Sequence, residues 1–214
     1  MDQVNTSSAY QYGQNLYLNL TERCPTDCTF CIKNSAGRRF HGSDLSLEKD
    51  PEVDEVWADI LEHTGRRLYD EFVFCGYGES TYRLGVVLEI TRRLKHRYPR
   101  SYFRLNTVGL AGAIWHRDIV PELAAAGLTS VNVSLNTADP VQWLKLHRPR
   151  AELRSIGFES VLDFVRSCVL SDLLMTVTAV DLPGVDIPAV RNLASSLGAS
   201  FLARPPLTAR EAAA

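Results

Sequence analysis

Three cysteines, Cys24, Cys28 and Cys31, stand in the spacing C-x3-C-x2-C, with the aromatic Phe30 just before the last of them. They follow directly on residues 15–21, a run with the alternation of a strand. Thiolates are soft ligands, so a loop of this kind reads as a metal site. Three thiolates can each hold one iron of a cubane 4Fe–4S cluster and leave the fourth iron open to a substrate or cofactor, which an all-cysteine cluster cannot do. Zinc is the other reading. It takes four ligands, commonly as two pairs with a longer spacer. No second pair is present, although His41 or Cys75 could supply a fourth ligand. Disulfides fit less well, because five cysteines are an odd number and the first eleven residues carry no secretory pattern.

Other polar residues fall at the ends of strand-like runs. Gly76-Tyr77-Gly78-Glu79 closes the run 71–76. Two glycines with an acid beside them let a backbone approach a ligand, and Glu79 could hold an ammonium. The same residues also suit a tight turn, with Glu79 as a favourable charge at the start of a helix from Ser80. Arg104 and Asn106 share one face of the run 102–107, and Asn132, Ser134 and Asn136 share one face of the run 130–136. Polar groups pointing into a barrel need partners, supplied by a bound polar ligand, an internal network or buried water. Lys145, His147, Arg148 and Arg150 read as a solvated helix end, with Arg148 also suited to clamp a carboxylate or phosphate. Lys33, Arg38, Arg39 and His41 follow the cysteine loop and either cover a ligand or lie on a surface loop. Cys75 has apolar neighbours and reads as core, with hydrogen-atom donation as its alternative chemistry; Cys168 reads as structural.

The elements that must position these residues alternate along the chain. Strands are expected at 15–21, 71–76, 102–107, 130–136, 173–180 and 200–204, and helices at 51–63, 82–96, 118–126, 140–146, 158–170 and 187–197, with Gly127 and Gly198 as C-terminal caps. Strand–helix alternation predicts parallel strands with right-handed crossovers. Six strands are too few for an eight-stranded barrel, so the expectation is an α/β fold, a partial barrel of parallel strands. Ligands in such folds sit at the C-terminal strand ends, where the cysteine loop lies. The domain is expected over 15–205, with an N-terminal extension 1–14, a flexible tail 206–214 and no large appended domain. The formal net charge of −2 argues against a general nucleic-acid binder. No apolar run is long enough to span a bilayer, and clustered free cysteines point to a reducing cytoplasm.

Taken together, the chain resembles the radical S-adenosylmethionine (radical SAM) enzymes, and within them the small TatD-associated radical SAM proteins. The resemblance is carried by residues 15–21, Cys24 to Cys31, residues 72–79, Leu105-Asn106-Thr107, Ser134-Leu135-Asn136 and Lys145-Leu146 with Arg148-Pro149. It implies a (β/α)6 partial barrel. It implies that Cys24, Cys28 and Cys31 hold a 4Fe–4S cluster whose open iron chelates S-adenosyl-L-methionine. Reductive cleavage would then give a 5′-deoxyadenosyl radical that abstracts a hydrogen atom from a substrate. Gly76, Tyr77, Gly78 and Glu79 would bind the methionine amino group, and Ser134 and Asn136 the ribose. Phe30, Arg104, Asn106 and Arg148 complete the expected cofactor shell. Tyr77, Val108 and Ser80 depart from the family pattern, which usually has glycine, asparagine and proline there.

The expected substrate is a small molecule, nucleotide-like or otherwise anionic. The alternatives are a peptide or protein modifier such as a glycyl-radical activase and, from another class, a zinc-stabilised binding module. An oxygen-sensitive radical enzyme also implies an electron donor such as flavodoxin or ferredoxin, and a short barrel is compatible with a homodimer.

Overall fold

The computed structural model describes residues 8–33 and 39–206. The chain forms two compact units. The described part of the first comprises residues up to Cys24 and those from Ile32 to Leu105; the second comprises Pro25–Cys31 and Asn106–Pro206.

In the first unit, β1 (Ala9–Tyr12) runs antiparallel to β2 (Asn15–Leu18). The short pair β3 (Arg39–Phe40) and β4 (Ser43–Asp44) follows, then α1 (Val53–Thr64). β5 (Glu71–Phe74) lies parallel to β2, a 3-10 turn spans Ser80–Arg83, and α2 (Leu84–Arg97) leads to β6 (Tyr102–Thr107), parallel to β5. Period-two alternation sorts the side chains. Leu16, Leu18, Phe72, Phe74, Phe103 and Leu105 are fully buried, and each buried Leu or Phe contributes about 1.5–3 kcal/mol. Tyr17, Val73 and Arg104 lie side by side in register on the other face. α1 starts with a reciprocal capping box between Glu52 and Glu55 and buries Val56 and Ile60.

β1 lies within the stretch expected as an extension. Tyr12 pairs with Asn15 around the two-residue loop Gly13-Gln14, where Gly13 has φ 60°. Glycine at the first loop position is what a tight hairpin of this kind requires. The tail expected at 206–214 lies outside the described residues beyond Pro206.

The second unit begins with α3 (Ala111–Trp115), a five-residue helix too short to show periodicity, and α4 (Val120–Ala126), capped by Gly127 at φ 103°. β7 (Ser130–Ser134), α5 (Pro140–His147) and a 3-10 turn at Ala151–Leu153 follow. α6 (Gly157–Leu170), β8 (Leu174–Val180), α7 (Ile187–Ser196) and β9 (Ser200–Arg204) complete the unit. β7 pairs parallel with β8, and β8 with β9. Val131, Val133, Val177 and Ala179 are fully buried; Asn132, Ser134, Thr176 and Thr178 alternate with them. Asp139 caps α5 by accepting from the Gln142 N–H at 2.6 Å, and Asp186 caps α7 through Ala189. Trp143 of α5 is buried over Gly157, where a Cβ would come within 2.6 Å of the indole.

All six expected strands and all six expected helices form, with boundaries moved by a few residues. α4 starts later than expected because Asp118 turns its carboxylate back onto the Val120 N–H and Pro121 opens the helix.

Candidate functional site

The first unit holds the chain that enters the cysteine loop. The Cys75 N–H donates to the Leu18 carbonyl at 2.9 Å, and the Glu79 N–H to the Arg23 carbonyl at 2.8 Å. Asn19, fully buried, accepts from the Tyr77 N–H and donates to the Leu45 carbonyl. The turn 76–79 is thereby laced to residues 18–23. A Cβ on Gly76 would overlap the Asn19 side chain, and one on Gly78 would overlap the Thr21 carbonyl and come within 2.6 Å of the Arg23 oxygen. Both glycines thus allow the close approach of residues 19–23. Glu79 is buried and its Oε1 accepts from the Thr81 N–H at 3.1 Å and hydroxyl at 2.8 Å, capping the 3-10 turn.

Arg104 donates to Glu71 at 2.8 Å and to the Tyr17 hydroxyl at 3.4 Å, while Asn15 donates to the same Glu71 oxygen. The guanidinium expected in the cofactor shell is thus spent on an internal ion pair, although its Nε is buried without a hydrogen-bond partner. Cys75 is half-buried, and its carbonyl accepts from the Tyr10 hydroxyl at 3.1 Å. Burial, then the neighbouring Cys75, pushes Tyr10 well above the usual phenol range. Tyr77 packs with Tyr10, Phe40 and Leu45. Lys33 donates to the Glu22 carbonyl and His41 packs against Tyr12; Arg38 lies outside the described residues.

The second unit holds the loop proper. The Asp27 N–H donates to the His147 carbonyl at 3.1 Å, and the Thr29 N–H to the Leu146 carbonyl at 2.8 Å. The Arg150 N–H donates back to the Pro25 carbonyl at 3.0 Å, and Thr26 bridges Pro149. The end of α5 and the segment after it therefore clamp the loop through main-chain bonds. Arg148 takes part through its backbone, at φ 46°, and is an exposed residue.

Cys28 is buried; Cys24 and Cys31 are partly exposed. The Cys28 sulfur lies 3.3 Å from the Thr26 hydroxyl and 3.5 Å from His147 Nδ1. His147, expected on a solvated helix end, is fully buried, with Trp143 stacked on one side and Phe30 edge-on. Burial pulls its pKa down to about 4, so the ring is neutral near pH 7. The i, i+4 spacing of Trp143 and His147 was the sequence signal that both face inward. Nε2 of His147 lies 3.2 Å from the Leu135 carbonyl and 3.2 Å from Asn136 Nδ2.

Asn136, fully buried and left-handed at φ 65°, has both ends of its amide occupied. Its Oδ1 accepts from the Val180 N–H at 2.9 Å, and its Nδ2 donates to the Ser134 hydroxyl at 2.7 Å. Asn136 therefore orients Ser134 and His147. Asn106 presents a buried Oδ1 with no hydrogen-bond partner, an acceptor suited to a ligand hydroxyl or ammonium.

Three soft thiolates from one short loop suit a cluster in which each sulfur takes its own iron. Among the described residues no three His, Cys, Asp or Glu side chains are grouped around a single point. No helix among the described residues is long and apolar enough to cross a membrane.

The family model described as the Radical SAM superfamily matches residues 18–197. The chain is similar to the GTP 3′,8-cyclase of Peptoclostridium acidaminophilum, 31% identical over 137 residues, covering 60% of this chain and 37% of that protein. It is similar to a probable RNA methyltransferase of Dechloromonas aromatica, 26% identical over 132 residues, covering 62% of this chain and 30% of that protein. The chain thus spans about a third of the length of these curated relatives. Among solved structures it overlays the radical S-adenosylmethionine methyltransferase TsrM of Kitasatospora setae, solved with cobalamin and a 4Fe–4S cluster, at a TM-score of 0.56 and 19% identity, covering 88% of this chain and 37% of that one. The fold is accordingly α/β, with mostly parallel strands of the partial-barrel type.

Proposed function

The chain belongs to the radical SAM superfamily, and from that membership we propose that it is a radical SAM enzyme acting on a small molecule, with a nucleotide-like compound as the substrate class. The observation that carries the reading is the clamped C-x3-C-x2-C loop, whose Cys28 is buried beside the His147 imidazole. Cys24, Cys28 and Cys31 would hold a 4Fe–4S cluster, and Gly76, Tyr77, Gly78 and Glu79 the methionine end of S-adenosyl-L-methionine. When bound, the pair supplies one-electron cleavage of the sulfonium and a 5′-deoxyadenosyl radical.

The chain's own residues prepare the site. The main-chain bonds from 146–150 hold the loop, and burial keeps water from Cys28. Asn136 donates to the Ser134 hydroxyl, and Ser134 would be the group for the ribose. The unpartnered Asn106 Oδ1 is the acceptor for a second ligand donor. The nucleotide-like class draws on the similarity to the GTP 3′,8-cyclase. An external electron donor of the flavodoxin or ferredoxin type would reduce the site.

The test is anaerobic. The protein is loaded with iron and sulfide, reduced, given S-adenosyl-L-methionine and assayed for 5′-deoxyadenosine. Formation that disappears when any of Cys24, Cys28 or Cys31 is replaced by alanine supports the reading. A colourless protein that binds zinc and yields no 5′-deoxyadenosine returns it to the binding-module class.

A further inference from the structure

We propose that His147 is a positioning residue for the cluster, its Nδ1–H donating a hydrogen bond to the Cys28 sulfur and thereby raising the reduction potential. The inference rests on the reading of Cys28 as a cluster ligand.

The Nδ1 to sulfur distance of 3.5 Å is within reach of an N–H to sulfur hydrogen bond. The ring has little freedom, with Trp143 stacked at 5.0 Å and Phe30 edge-on at 5.4 Å. A neutral imidazole carries one hydrogen, so its two nitrogens compete for it. A metal-bound thiolate can only accept. A bare Nδ1 would set its lone pair against that sulfur.

The other nitrogen decides in the same direction. Asn136 cannot flip, because its Oδ1 holds the Val180 N–H. Its Nδ2 therefore faces Nε2 as a donor at 3.2 Å. With hydrogen on Nδ1, Nε2 accepts from Asn136, and the one adverse contact is with the Leu135 carbonyl at 3.2 Å. With hydrogen on Nε2, Leu135 is satisfied, but two contacts become adverse: donor against donor at Asn136 and lone pair against thiolate at Cys28. A run of hydrogen bonds then extends from Val180 through Asn136 and His147 to Cys28. Donation to a ligand sulfur draws off charge and favours the more negative, reduced cluster.

The experiment is a redox titration of the loaded whole chain, followed by electron paramagnetic resonance, comparing wild type with three variants. In His147→Asn the amide nitrogen takes the place of Nδ1, in His147→Gln it reaches toward Nε2, and His147→Phe keeps ring packing without a donor. The expected result is that the Asn variant titrates like wild type. The Phe and Gln variants should titrate lower, with about tenfold less reduced cluster at a fixed ambient potential, ~59 mV for one electron. Packing alone would not spare the Asn variant. A Phe variant with wild-type potential, or an Asn variant shifted as far as Phe, overturns the proposal.

Should a variant lose iron, nitrogen-15 shifts of the His147 ring in oxidised wild type decide the matter. Protonation at Nδ1 supports the proposal and protonation at Nε2 overturns it. A chain that takes up no cluster brings down both this inference and the function it rests on. Cluster and 5′-deoxyadenosine formation with coincident potentials for wild type and His147→Phe brings down this inference alone.

Discussion

The Glu79 N–H donates to the carbonyl of Arg23, the residue before Cys24, at 2.8 Å. This bond joins the Gly-Tyr-Gly-Glu turn to the chain that delivers the first cysteine. It exists because Gly78 lets two backbones meet where a Cβ would collide with Thr21 and Arg23. Gly78→Ala should therefore destabilise the protein by about 1–3 kcal/mol, the usual cost of overpacking, and reduce the iron retained after loading. Gly85→Ala, in the first turn of α2 with open space around it, should instead stabilise by less than about 1 kcal/mol. Urea denaturation of the two variants checks the opposed signs.

The five cysteines should divide three to two. Replacing Cys24, Cys28 or Cys31 by serine should remove the iron-dependent colour and 5′-deoxyadenosine formation, while Cys168→Ala should keep both. Burial pushes the Cys168 thiol up to about 12, so it carries almost no thiolate at pH 8. Alkylation at that pH, read by mass spectrometry, should label Cys168 only after denaturant is added.

His147 gives metal-free protein an acid-side weakness. Its folded pKa of about 4 lies below the unfolded value of about 6.5, so below pH 6.5 the unfolded state binds the extra proton. Stability should be full above pH 6.5, decline as the pH falls toward 4, and level off below that. The loss from this one residue is on the order of 3 kcal/mol. His147→Phe should flatten this part of the stability curve; an unchanged slope between wild type and variant would count against the assignment.

Asn136→Ala should cost about 1–3 kcal/mol, because the buried Val180 N–H loses its acceptor and an alanine must hold a left-handed backbone. Asn132→Ala, on the half-buried face of β7, should cost less. Thermal melting of the pair gives the comparison, and equal losses would show that Asn136 is not a lock.

The strands and long helices were legible because their apolar periods are strong, as in Val131, Val133 and Leu135 or in the buried face of α6. β1 is faint in the sequence, although Tyr12-Gly13-Gln14-Asn15 carries the two-residue hairpin signal; a four-residue strand with two tyrosines and a glutamine has little apolar alternation. The cysteine triad was legible because ligand chemistry is written in residue type and spacing. The burial of His147 was only half written, in its i, i+4 relation to Trp143. The engagement of Arg104 by Glu71 was not written at all, since it depends on which strands become neighbours. The same holds for Gly76 and Gly78, whose need for a missing Cβ is local but whose reason lies in Asn19, Thr21 and Arg23, far earlier in the chain.

Apart from the His147 ring, the clamp on the cysteine loop is built from carbonyls and amides of residues 146–150, not from their side chains. Main-chain contacts are blind to residue identity, so the exposed charges of Lys145, Arg148 and Arg150 can drift or be redesigned for solubility or for docking a reductant without detuning the loop. What must be preserved is the path of the backbone: the left-handed turn at Arg148 and the proline that follows it.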